Sequence, residues 1–205
     1  MRVVQLFVMS ACLVVAEFSG SPMIFAVEDG EPTTAEASVE LATPTPEQAT
    51  WHDLEIGMFI HFGMETYQDT ETDNFSTPLS EFNPTKLDTD QWVRVAESMN
   101  AKYIVLVAKH VGGFCLWQTD TTKYSIKHTP WRDGKGDILA DLAESCRKRG
   151  MLLGVYVYPG DLYLGSPASS GGKTKDPAKQ KAYTTIYRQQ LTEVLSRYGP
   201  MMEVW

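Results

Sequence analysis

The chain has 205 residues, 43% of them hydrophobic and 21% charged. That composition suits a globular domain and excludes a wholly disordered chain. Eighteen Lys and Arg against 26 Asp and Glu give a formal net charge of −8, and no basic stripe is present to neutralise phosphates, which excludes nucleic acid as a partner.

Met1 and Arg2 are followed by an apolar run, Val3 to Val15, broken only by Gln5 and Ser10, and then by small residues up to Ala26. This pattern predicts a signal peptide over residues 1–26, too short for a membrane span. The expected localisation is secreted or periplasmic, with no stable membrane insertion after signal removal. Residues 27–50 are rich in Glu, Thr, Ala and Pro without a sustained period and predict a disordered spacer. Ordered structure is expected from Trp51, giving one domain over 51–205. The mature chain would keep Cys115 and Cys146, which form no CxxC pair and no disulfide framework. Cys146 shares an apolar helical face with Leu139 and Leu142, so a buried thiol is expected.

Within the domain one pattern recurs. "GMFIHFG" (residues 57–63) predicts a buried strand. Asp88 is a good N-cap, with Gln91 three residues on, for a helix bearing Trp92, Val95, Ala96 and Met99 and closed by Asn100. "YIVLVAKH" (103–110) predicts a second strand, Asp137 and Gly150 bound a second helix, and "LLGVYVYP" (152–159) predicts a third strand. The run Arg147-Lys148-Arg149 falls where that helix ends and complements its dipole. A helix over 178–198 carries Tyr183, Tyr187, Gln190, Leu191 and Val194 on one face, and "MEVW" (202–205) predicts a fourth strand. Strands apolar on both sides, alternating with amphipathic helices, point to a parallel sheet. No GxGxxG follows a strand. Long loops rich in His, Tyr, Trp and Asp follow the strands, whereas the helix-to-strand loops are short. This asymmetry predicts a TIM (β/α)8 barrel, represented by its first half: three βα units and strand four. The sequence therefore reads as a truncated barrel.

Lys109 and His110 should then stand at the rim of the active-site face. His61 and His110, ending strands one and two, should point into one mouth. Two neutral imidazoles can bond adjacent sugar hydroxyls or hold a metal ion; no HxH or HExxH spacing supplies further ligands. Tyr156 and Tyr158 share one side of strand three, Trp117 either walls a sugar site or packs, and Trp205 sits at a rim position. A glycosidase needs two carboxyl groups flanking the scissile bond. Glu65, Asp69, Glu71, Asp73, Asp120 and Asp161 all lie on strand-end loops, where solvated, capping or turn roles are expected.

The segments "GMFIHFG", "FNPTKLDTDQWVRVAESMNAKYIVLVAKHVGGFCLWQTDTTKYS", "GKGDILADLAESCRKRGMLLGVYVYP" and "LTEVLSRYGPMMEVW" resemble, in order from about Trp51 to Trp205, the catalytic domain of glycoside hydrolase family 29, the α-L-fucosidases. The resemblance implies a retaining TIM-barrel glycosidase that removes terminal α-linked L-fucose from glycans and needs no metal or organic cofactor. It implies that His61 and His110 contact fucose hydroxyls, and that Glu71, Tyr156 and Trp205 complete the substrate site, to which Trp117 is a candidate addition. "FIHFGMETYQD" and "HTPWRDGKGD" are more similar to the branch preferring α-1,3/1,4-linked fucose. Three positions depart from the family pattern: Val111 stands for a second histidine, Thr72 for a Trp after the loop Glu, and Gly160 for a Trp after strand three. The family nucleophile is an Asp two residues beyond the Trp matched by Trp205, with the acid/base Glu further on. No catalytic residue is therefore expected within the chain. A non-catalytic carbohydrate-binding or interaction module, or a barrel glycosidase for another sugar, stays open beside this reading.

Overall fold

The structure is a computed structural model that describes residues 42–166 and 171–205. The predicted signal peptide and residues 27–41 of the predicted spacer lie outside them. Helix α1, Pro46–His52, begins inside the stretch expected to be spacer. Its cause is local. Gln48 N–H donates to Thr45 Oγ1 at 3.3 Å and Thr45 N–H donates to Gln48 Oε1 at 2.9 Å, a capping box followed by proline at the first helical position. Composition hid this cap, and order begins before Trp51.

The elements that follow are β1 (Gly57–Ile60), α2 (Met64–Gln68), α3 (Thr89–Ser98), β2 (Tyr103–Lys109), α4 (Ile138–Arg149), β3 (Leu152–Val157) and α5 (Pro177–Arg197). The three long helices start on the carboxylates of Asp88, Asp137 and Asp176, each accepting a backbone N–H of the first turn. Asn100 takes a positive φ of 62° just past α3, and Gly150 one of 67° after the basic last turn of α4.

The strands form one parallel sheet in the order β1-β2-β3. The architecture is α/β. Ile104, Leu106 and Ala108 of β2 and Leu153, Val155 and Val157 of β3 pack in one core with Val93 and Ala96 of α3, Leu139, Leu142 and Cys146 of α4, and Val194 of α5. Cys146 is the buried thiol its helical position predicts, and burial pushes its pKa up to about 12. Alternation sends Phe59, Val105, Val107 and Tyr156 to the opposite face. That face carries no described helix over β1, where Phe59 is 47% exposed. The expectation that β1 is a buried strand is thus corrected: its residues are half-buried or exposed. The predicted fourth strand is also shorter than expected. Residues 202–205 run parallel beside β3, with Trp205 N–H donating to Val155 O at 2.9 Å and Val157 N–H to Trp205 O at 3.0 Å, but they form a single bridge, Val155 to Val204.

One irregularity decides where side chains point. The β2–β3 register shifts between Val107 and Lys109. Ala108 belongs to the helix-side core, and the next residue, Lys109, also turns to the helices instead of alternating. Its ammonium is 0% exposed and donates to Gln190 Oε1 at 3.0 Å, Tyr183 Oη at 3.2 Å and Asp161 Oδ2 at 3.4 Å. All three N–H donors are matched, and the charge lies 5.2 Å from the Tyr187 ring centroid. Burial pushes the Lys109 pKa down and that of Asp161 up, outweighing their mutual attraction. The expectation that Lys109 stands at the rim is therefore corrected. The extra residue restores His110 to the open face, because a one-residue slip exchanges the faces of a strand.

Removing only one partner of this buried pair leaves an uncompensated charge. Lys109→Ala should cost about 3–5 kcal/mol in urea unfolding, whereas Lys109→Met combined with Asp161→Leu should recover most of the loss. A single-variant loss below about 1 kcal/mol, the range of exposed pairs, would contradict the account.

Candidate active site

Alternation past the end of β1 gives Phe59 and His61 to the open face and Ile60 to the core side. The register slip gives His110 to the same face, and β3 and the residue after it add Tyr156 and Tyr158. The rings of His61 and His110 meet at right angles, with centroids 4.5 Å apart and an interplanar angle of 83°. Tyr156 lies 6.1 Å and Tyr158 6.3 Å from the His110 ring, and the two tyrosines stack on each other. Phe59 extends this surface toward Tyr156 at 6.0 Å and Trp205 at 5.4 Å. His61 and Trp205 are exposed, while His110 and Tyr156 are half-buried.

The site holds a carboxylate that local context did not single out. Glu65, in the first turn of α2, is only 5% exposed, and its Oε1 lies 3.5 Å from His61 Nδ1. The glycine at residue 63 leaves the carboxylate room to lie there. A Cβ there would fall 2.6 Å from both Glu65 carboxylate oxygens. His61 lies in the short loop between β1 and α2, and the turn at Gly63 folds the first turn of α2 back toward it. Burial pushes the Glu65 pKa up, against the pull of its own backbone N–H and of His61. Burial pushes the His110 pKa down, the neighbouring His61 adds to that, and Glu71 opposes it. His110 Nδ1 is buried with no hydrogen-bond partner among the described residues. One ligand-type atom each from His61, Glu65 and His110 lie within 4.8 Å of one another.

The structure therefore brings His61, His110 and Tyr156 together, with Trp205 reached through Phe59 and an exposed Glu71 close enough to act on His110. Trp117 is not among them. It is 0% exposed, and its Nε1–H donates to Glu193 Oε2 of α5 at 2.9 Å. Its role as a sugar wall is corrected to a core role, because the chain after β2 turns back under α5. Three of the other loop carboxylates also have structural partners. Asp73 is buried, accepting from Tyr124 Oη–H and Gln68 Nε2–H, and Asp161 is held by Lys109. Asp120 pairs with Lys127 at the surface. Val111 is buried, and its carbonyl accepts from Leu162 N–H at 2.9 Å.

Two imidazoles, one kept neutral by burial, beside a phenol and an apolar aromatic platform suit a ligand with several hydroxyls and an apolar face. Comparison with known proteins gives the family. A family model described as alpha-L-fucosidase matches residues 65–205. The chain belongs to the α-L-fucosidase family. Alpha-L-fucosidase 1 of Arabidopsis thaliana is 38% identical over 165 residues, covering 80% of this chain and 31% of the plant protein. A rice putative alpha-L-fucosidase 1 is equally similar, with 30% of its length covered. The chain thus spans under a third of these relatives. Among solved structures, a glycoside hydrolase 29 member from a rumen bacterium superposes with a TM-score of 0.69 at 40% identity, covering 79% of this chain and 27% of that one. A putative α-L-fucosidase of Bacteroides thetaiotaomicron gives 0.70 at 34% identity, covering 81% and 41%. A Ruminococcus gnavus family 29 fucosidase mutant solved with fucose gives 0.67 at 29%, covering 79% and 35%.

In this fucosidase-family site the His110 imidazole should titrate below the ordinary value of about 6.5, followed by its ring-proton NMR shifts. His61→Asn, which removes a neighbouring positive charge at low pH, should move that midpoint up. A wild-type midpoint at or above the ordinary value would contradict the burial argument.

Proposed function

We propose that this chain forms the fucose-binding wall of a retaining α-L-fucosidase acting on terminal α-linked fucose of glycans. The observation that carries this is the perpendicular His61–His110 pair beside Tyr156 on the uncovered face of the sheet. In this reading His61 and His110 hold adjacent sugar hydroxyls, Glu71 and Tyr156 add polar contacts, and the Phe59–Trp205 surface faces the apolar side of the ring. A neutral His110 can accept or donate, as a hydroxyl requires. The three parallel strands and their helices are the first part of a TIM barrel, whose inner wall is the face bearing these residues. The double displacement of a retaining glycosidase uses two carboxyl groups. One attacks the anomeric carbon to give a glycosyl-enzyme, and the other protonates the leaving oxygen and then activates water. Bonds that hold the hydroxyls and strengthen in the transition state favour that step. A secreted or periplasmic setting, with residues 1–26 as signal and a spacer ahead of α1, suits a glycan substrate. None of the described helices is long and apolar enough to cross a membrane.

Titration of the chain with L-fucose should shift the His61 and His110 ring resonances saturably, and D-glucose should not. His110→Ala should weaken fucose binding by about 1–3 kcal/mol, the cost of deleting a partner from a buried hydrogen bond. Equal responses to the two sugars, or none to fucose, would overturn the assignment.

A further inference from the structure

We propose that His61, Glu65 and His110 also form a binding site for a divalent transition-metal ion, with Zn2+ the ion its donors suit best. The three ligand-type atoms already lie within 4.8 Å of one another. Ligands of a tetrahedral zinc with bonds of about 2.0–2.1 Å stand about 3.3 Å apart. The 3.5 Å between His61 Nδ1 and Glu65 Oε1 is such an edge. The other two separations are no more than 4.8 Å, so small adjustments of His61 and His110 would bring both imidazoles onto one ion. Two imidazoles and one carboxylate are the donors of borderline-soft ions such as zinc. The hard ions magnesium and calcium prefer all-oxygen sets.

Two further features favour occupancy. Glu65 is a buried carboxylate whose one ion-pair partner among the described residues is a histidine, so a cation would relieve its desolvation. His110 has a buried nitrogen with no partner among the described residues, so no internal bond commits the ring to one tautomer and a lone pair remains available. His61 is exposed to solvent, from which a water would complete a tetrahedron. Because the same imidazoles serve the sugar in the proposed function, ion and sugar would exclude each other. That consequence alone rests on the fucose reading.

The test is calorimetric titration of ZnCl2 into the metal-free chain. One-to-one binding is expected, with a rise in melting temperature on saturation. Glu65→Gln and His61→Asn should each weaken Zn2+ binding by roughly tenfold or more, since even outer partners of metal ligands are worth about 10–100-fold. His61 is exposed, so its variant keeps the test decisive if the buried Glu65→Gln fails to fold. No saturable uptake by the wild type, or affinity unchanged in His61→Asn, overturns the proposal. Repeating the titration with saturating L-fucose separates the two readings. Zinc binding lost in the variants but indifferent to fucose upholds the ion site and counts against the sugar assignment.

Discussion

The ammonium of Lys109, withdrawn from water and divided among three oxygens, is the constraint on which the site depends. An isolated charge at that depth would be untenable. The protein meets it by bringing together an aspartate from the loop after β3 and a tyrosine and a glutamine from α5. The contact fixes α5 against the carboxyl end of the sheet and holds the segment after β3 in place. It also requires the backbone of β2 to slip by one residue, since a regular strand would aim Lys109 at the open face and His110 into the core. The same slip that solves the electrostatic problem delivers the imidazole to the site.

The two faces of the sheet are built on different principles. The helix side is closed and largely apolar, with the Lys109 cluster and the Trp117–Glu193 hydrogen bond inside it. The other face is aromatic and partly wet, and its polar groups gather at the carboxyl ends of the strands. There Glu65 reaches back over Gly63 to His61, so a carboxylate, two imidazoles and a phenol share one corner. Their pKa values are pushed by burial in opposite directions, Glu65 up and His110 down. Both shifts favour uncharged forms, which suits a corner that must lose water when a ligand enters.

The strands, the three long helices, the aspartate caps of the first two and the histidines at the strand ends were legible because each rests on local pattern: apolar runs, helical spacing and capping residues. What escaped depended on the third dimension. Lys109 looked like a rim residue because strand alternation was assumed to continue through its last residues, and a register slip leaves no mark in composition. Trp117 looked like a ligand wall because it follows a strand, but the chain there folds beneath a helix that starts sixty residues later. Glu65, Asp73 and Asp161 looked like ordinary loop carboxylates because burial of a charge depends on partners distant in sequence. Helix α1 was missed for the opposite reason: a two-residue local cap was outvoted by the composition around it.

The bond from Trp51 Nε1–H to the Glu203 carboxylate, at 2.9 Å, joins positions 152 residues apart. Neither end can find the other until every crossover between them has been laid down, so its loop-closure entropy is met only when the rest of the chain has ordered. The indole is then tethered beside a backbone that Gly154 leaves bare for Glu203 to lie against. Trp51 emission should consequently lag behind signals from the buried Trp117 and Trp131 during refolding. The indole of α1 would serve as a built-in clock for the final closure of the sheet.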